Sequence, residues 1–212
     1  MYIRFVYIGI EELHKNNIIH RDIKYNNVCI ELLSNDESPI QGLVRGTAPT
    51  PHITIIDLDS CRFQNFVPTI YTPEQRTTIM YRAPEILLGA SNYSYPADMW
   101  SVGCLIFEML SPYERVPLFM TTSNTEFDLV FKWAKYLGPI TEWNWPGSSQ
   151  LPFFKHFILT GNYNIAQDMF AHLFDISMLA RDLVRKLVVY DPAKRLTATE
   201  ALQHPFLQGG GT

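Results

Sequence analysis

The sequence predicts a mainly α-helical domain carrying one small β-hairpin. Four stretches, near residues 3–15, 96–110, 125–137 and 177–189, read as helices from apolar spacing and from their start and stop residues. Against them stand only two short strand candidates, Val28–Ile30 and His52–Ile56. The chain has 212 residues, 47% of them hydrophobic and 18% charged, enough to bury one sizeable core or at most two small ones.

Taken in order, residues 3–15 place Phe5, Ile8, Ile10 and Leu13 at helical spacing. Asn16 to Ile19 lead into a polar segment at 20–27. Between the strand candidates, residues 34–51 are rich in Ser, Asn, Asp, Pro and Gly and read as a loop. Pro96 suits the first turn of a helix running to Leu110. Trp100, Gly103, Cys104, Phe107 and Leu110 make that helix apolar over most of its surface, which predicts burial. The helix over 125–137 stops at Gly138-Pro139. Residues 139–164, with Trp143, Trp145, Pro146 and Pro152, read as irregular. Thr197-Ala198-Thr199-Glu200 is a capping-box pattern opening a last short helix. There is no internal repeat, and residues 208–212 with their glycines read as a disordered tail.

Bulk properties exclude several classes. Seventeen Lys and Arg against 21 Asp and Glu give a net charge of −4, which argues against bulk nucleic-acid binding. Three cysteines, Cys29, Cys61 and Cys104, have neither metal-ligand spacing nor an even count for disulfides, so a reducing intracellular compartment is expected. No basic cluster separates nucleus from cytoplasm. No apolar run is long enough to span a bilayer, and the first residues do not resemble a signal peptide.

The chemistry concentrates in His20-Arg21-Asp22-Ile23-Lys24-Tyr25-Asn26-Asn27. A carboxylate, a lysine two residues on and an amide five residues on suit phosphoryl transfer. Asp22 can accept a hydroxyl proton, Lys24 can neutralise phosphate charge, and Asn27 can hold a hard cation. Taken singly, each has a blander reading, a turn-capping Asp or a solvated Lys. Further motifs follow in the chain. Asp57 ends the apolar run Ile53-Thr54-Ile55-Ile56, and Ala83-Pro84-Glu85 closes Thr78-Ile79-Met80-Tyr81-Arg82. Asp98-Met99-Trp100-Ser101-Val102-Gly103, Asp191-Pro192-Ala193-Lys194-Arg195 and His204-Pro205-Phe206 complete the series.

In this order the motifs resemble those of the eukaryotic protein kinases, over residues 1–207. The resemblance implies ATP and Mg²⁺ as cofactors. Asp22 would be the catalytic base, Lys24 and Asn27 would face the phosphates, and Asn27 with Asp57 would hold the metal. Thr78 resembles the threonine that contacts the catalytic Asp and Lys. Lys24 resembles the lysine of Ser/Thr-specific kinases. Glu85 and Arg195 resemble a buried ion pair, Asp98 the helix residue that holds the catalytic loop's backbone, and His20 a packing residue. Thr72, before Pro73, resembles an activating phosphosite, with Arg21 and Arg62 as phosphate receivers. Tyr71, Thr77 and Thr78 are alternatives, as is an unmodified loop threonine.

The segment from Thr78 to Gly89 resembles the CMGC group, and Val67 to Thr72 the cyclin-dependent kinases. This implies protein substrates with Ser or Thr, possibly followed by Pro, and a cyclin-like regulatory subunit. Two departures stand out. Asp57-Leu58-Asp59 replaces D-F-G, and Asp59 in place of Gly is expected to strain a backbone at positive φ and to add a carboxylate near the metal. No G-x-G-x-x-G, V-A-I-K lysine or pairing helix Glu is present, so the resemblance is to the large, C-terminal lobe, with 34–51 as an insertion. An active kinase present as a fragment, an inactive pseudokinase or scaffold, and a lobe completed by another chain all remain open at this point.

Overall fold

The computed structural model describes residues 2–31, 52–64, 79–111, 116–123, 125–157, 168–171, 173 and 176–209. The insertion at 34–51 lies outside them, as do Tyr71, Thr72, Thr77 and Thr78.

Helix α1 (Ile3–Lys15) buries Ile3, Val6, Tyr7 and Ile10. That i, i+3, i+4, i+7 stripe differs from the expected one. Ile8 lies about 140° round the helix from Ile3 and is exposed. β1 (Ile18–Ile19) pairs antiparallel with β4 (Arg62–Phe63), and β2 (Val28–Glu31) pairs antiparallel with β3 (His52–Ile55). Among the described residues there are thus two two-stranded sheets, where a single hairpin was expected. A two-residue strand offers no alternation long enough to read from sequence.

The remaining described helices are α2 (Pro84–Leu87), α3 (Pro96–Leu110), α4 (Glu126–Leu137), α5 (Met178–Leu187) and α6 (Ala198–Leu202). Pro96 opens α3, whose residues from Ala97 to Glu108 are all buried. The Thr125 side chain caps α4, accepting from the Asp128 amide, and Gly138 ends it at φ 79°. Ser177 caps α5, and the Thr197–Glu200 capping box opens α6. Residues 139–157 are not wholly irregular, since single 3₁₀ turns form at Ser148–Gln150 and Phe154–Phe157. Gln208, expected in the tail, donates from its amide to the Leu202 carbonyl at 2.7 Å.

α3 runs through the core. The Trp100 ring stacks on Phe119 at 5.6 Å and meets Trp133 edge-on at 5.5 Å. Gly103 lets α5 approach: a Cβ there would stand 2.8 Å from Val188 Cγ2 and 2.9 Å from Leu187 Cβ. α1 packs against α6 and β3, which sets the loop after β1 over the N-terminus of α3. Among the described residues, no helix is long and apolar enough to cross a membrane.

Candidate active site

The loop between β1 and β2 is held from below by Asp98, in the first turn of α3 and 0% exposed. Its Oδ1 accepts from the Arg21 amide at 2.8 Å and its Oδ2 from the His20 amide at 2.8 Å. His14, on the last turn of α1, donates from Nε2 to the same Oδ2 at 3.0 Å. Arg21 has φ 72°, a left-handed conformation that a bulky side chain keeps only where its surroundings enforce it. Two amides on one fixed carboxylate are such an enforcement.

His20 ties the loop to the end of β3. The Asp22 amide donates to its Nδ1 at 3.3 Å, so Nε2 carries the proton and donates to the Ile56 carbonyl at 3.1 Å. Asp22, only 9% exposed, follows directly. Its Oδ2 accepts from Lys24 Nζ at 2.7 Å and from Asn27 Nδ2 at 3.2 Å. Asn27 Nδ2 also donates to the Asp22 carbonyl at 2.8 Å and lies 3.4 Å from Asp57 Oδ2. The Ile56 amide donates to the Asn27 carbonyl at 2.9 Å, which brings Asp57 beside the loop. Four side chains separated by up to 35 positions therefore form one cluster, with Asp57 exposed at its open side.

Asp57 itself has φ 68°, and Asp59 is not among the residues at positive φ. Asp59 sits in the single 3₁₀ turn Leu58–Ser60. The expected backbone strain at Asp59 is thus absent, because the left-handed residue is two positions earlier. Cys61 lies between these groups. Burial, with Asp98 and Asp57 adding to it and Arg21 opposing, pushes its thiol up to about 11.

A second group of contacts anchors the segment ending in Ala83-Pro84-Glu85. Arg195 Nη1 and Nη2 meet the Glu85 oxygens at 2.7 and 2.8 Å, and both residues are buried. Arg195 donates further to the Pro96, Tyr190 and Val189 carbonyls. Ser101 Oγ donates to the Tyr81 carbonyl at 2.7 Å, Tyr81 OH donates to Glu108, and Arg82 pairs with Glu126 at 2.7 Å. Burial raises the Glu108 carboxyl above its usual range, against the lowering effect of the Tyr81 hydrogen bond.

Among the sequence candidates, Asp22, Lys24, Asn27 and Asp57 come together over His20 and Asp98, while Glu85 and Arg195 meet elsewhere. Arg21 sets its guanidinium carbon 5.5 Å from the Tyr93 ring centroid. Arg62 is exposed on β4, paired across the sheet with Ile19. Sequence reasoning missed His14, which has no motif around it. It also missed Glu108, which a lone charge near the end of an apolar helix could have flagged.

Asn27 and Asp57 present one amide and one carboxylate at the open side of the cluster. Among the described residues, no group of three or more His, Cys, Asp or Glu could hold a metal on its own. An amide oxygen and a carboxylate are hard donors, of the kind that suit a cation whose other ligands are waters and phosphate oxygens. On either side of Asp57, Ile56 and Leu58 expose their apolar side chains, Leu58 by 54%.

A helical lobe with a carboxylate–lysine–amide loop and a second carboxylate at its edge defines a class, and comparison with known proteins bears on it. Residues 1–207 match the protein kinase domain model, so the chain belongs to the protein kinase family. Within it the chain is of the CMGC, cyclin-dependent-kinase-like type. It is 37% identical over 205 residues to cyclin-dependent kinase G-2 of Oryza sativa, covering 94% of this chain and 26% of that protein. It is 36% identical over 201 residues to cyclin-dependent kinase 11A of Homo sapiens, covering 94% and 22%. Cyclin-dependent kinase 7 of Dictyostelium discoideum is 31% identical over 210 residues, covering 99% and 51%. A chain of the crystal structure of the yeast RNA polymerase II CTD kinase CTDK-1 complex is similar at a TM-score of 0.77 and 27% identity, covering 97% of this chain and 60% of that one. The chain spans 22% to 51% of the length of these curated relatives.

Proposed function

We propose that this chain is the large lobe of a Ser/Thr protein kinase that transfers the γ-phosphoryl group of ATP to a protein hydroxyl. The observation that carries the reading is the cluster of Asp22, Lys24, Asn27 and Asp57, closed below by α3 and open above. Asp22 accepts the proton of the attacking Ser or Thr hydroxyl. Its fixed position suits a base, which must stand within hydrogen-bond reach of the proton it takes. Lys24 keeps a positive charge 2.7 Å from the Asp22 carboxylate, where it can meet the transferred phosphoryl. Asn27 and Asp57 would hold Mg²⁺, which when bound neutralises charge on the ATP phosphates.

The exposed Ile56 and Leu58, which flank Asp57, support the large-lobe assignment, since a phosphate-covering small lobe could pack over them. Residues 1–207, with the insertion at 34–51, form the kinase unit. Substrates with Ser or Thr before Pro, and a cyclin-like regulatory subunit, follow from the resemblance to cyclin-dependent kinases. By the same resemblance, Thr72 is the activating phosphosite with Arg21 and Arg62 as its phosphate receivers, and Thr78 acts with Asp22 and Lys24 in catalysis. Free Cys29, Cys61 and Cys104 are consistent with an intracellular setting.

The test is the melting temperature with and without Mg-ATP, followed by phosphate transfer to Ser-Pro and Thr-Pro peptides. A magnesium-dependent rise is expected, since a ligand of the folded state stabilises it, and Asp57→Ala should abolish the rise. Asp22→Asn should keep the rise and lose transfer by about 10²–10⁴-fold. No rise at saturating nucleotide in a folded chain would overturn the reading for this chain by itself.

A further inference from the structure

We propose that Tyr93 and Tyr95 are positioning residues that bracket strand β1 from the loop before α3, one at each end. The proposal deepens the reading of Asp22 as base and rests on that reading only for its effect on rate.

β1 is two residues long and pairs with the equally short β4. A ladder of that length has little stability of its own, so its ends need support from elsewhere. Both ends turn through left-handed residues. Asn17, directly before β1, has φ 60°, and Arg21, two positions after it, has φ 72°. Among the described residues these are two of the three non-glycine positions at positive φ, Asp57 being the third. Such a conformation lasts where surrounding contacts over-determine it.

The loop before α3 reaches both corners. Tyr95, directly before Pro96, donates from its OH to Asn17 Oδ1 at 3.1 Å. Its ring is itself placed by that of His14, 4.7 Å away. Tyr93 lies beneath the Arg21 guanidinium, whose carbon is 5.5 Å from the ring centroid, within reach of a cation–π attraction. Each corner leads to a working part of the site. The Asn17 carbonyl accepts from the Gln64 amide at 2.8 Å, which carries the β1–β4 pairing one residue further. β4 itself begins five positions after Asp57. Arg21 directly precedes Asp22, whose Oδ2 takes Lys24 and Asn27. Two side chains from one loop therefore fix where the base begins and where the strand after the second carboxylate ends.

The experiment is amide hydrogen exchange on the ¹⁵N-labelled chain without nucleotide. Tyr95→Phe removes one oxygen and keeps the ring against His14. It should speed exchange at the Gln64 amide by about threefold to tenfold, while core amides such as Leu105 and Trp133 stay as in wild type. Asn17→Gly keeps the left-handed turn and removes the acceptor, so Tyr95→Phe added to it should bring no further gain at Gln64. Tyr93→Leu should speed exchange at the Arg21 amide by about threefold, and Tyr93→Phe, which keeps the ring face, should leave it as in wild type. An unchanged Gln64 amide in Tyr95→Phe, an equal rise at core amides, or a further gain in the double variant overturns the bracket. So does a Tyr93→Phe that exchanges as fast as Tyr93→Leu. Should Tyr93→Leu fail to fold, Tyr95→Phe decides by the same criteria. In phosphate transfer, Tyr93→Leu should lower kcat by about threefold with KM unchanged, and Tyr93→Phe should restore it. Absent transfer in every form, wild type included, would refute the kinase reading and leave the exchange result standing.

Discussion

The anchor around Arg195 and the face around Asp57 both carry ionised side chains, and they are solvated in opposite ways. At the anchor, Glu85 and Arg195 are buried, matched oxygen for nitrogen, and Arg195 spends its other donors on three carbonyls. At the face, Asp57 is exposed between Ile56 and Leu58, which also meet water, and among the described residues it shares a long contact with Asn27. A buried pair that is fully hydrogen-bonded is a closed structural device. A solvent-facing carboxylate beside a buried carboxylate, an amide and a lysine leaves its charge open to a partner.

The comparison can be broken most severely at the anchor. Arg195→Ala strands the Glu85 carboxylate inside the protein and should cost about 3–5 kcal/mol in urea denaturation. A loss below 1 kcal/mol would mean that water reaches the pair. Next in size is Gly103→Ala, which pushes a methyl into Val188 and Leu187. Overpacking of this kind costs about 1–3 kcal/mol and should appear as a lower midpoint in the same titration.

Glu108 gives a smaller effect with a definite sign. Its carboxyl titrates higher in the folded state than in the unfolded one, so its contribution is fully present below the ordinary carboxylate range. That contribution is lost as pH rises through the raised value. Glu108→Gln keeps an acceptor for Tyr81 and should flatten the decline in stability above about pH 4. An unchanged pH slope would count against burial as the cause. Smallest of all, Leu58→Ser on the open face should shift chain stability by no more than about 0.5 kcal/mol. A larger loss would show that the face is already covered in this chain, and would erase the contrast with the anchor.

Much of the site was legible because its signals are local. Asp22, Lys24 and Asn27 lie within six positions, and a loop that short can bring them together only in a few ways. The burial of α3 followed from a surface that is mostly apolar, and the caps at Thr125 and Thr197 from side chains that bond their own helix. His14 was not legible, since its partner is 84 positions away and nothing near it in the chain marks the contact. The strain expected at Asp59 was misplaced by analogy, because whether a residue is left-handed depends on how the strand before it is paired.

By itself, then, the sequence determined the helical class, the order of the motifs and the chemical types at the site, since these depend on periodicity and on neighbours along the chain. Only the tertiary structure decided that Asp57 stands beside Asn27, that Arg195 closes on Glu85, and that His14 and two loop amides converge on Asp98. Those pairings join elements far apart in sequence, and their geometry is set by how helices and strands pack, which no local pattern encodes.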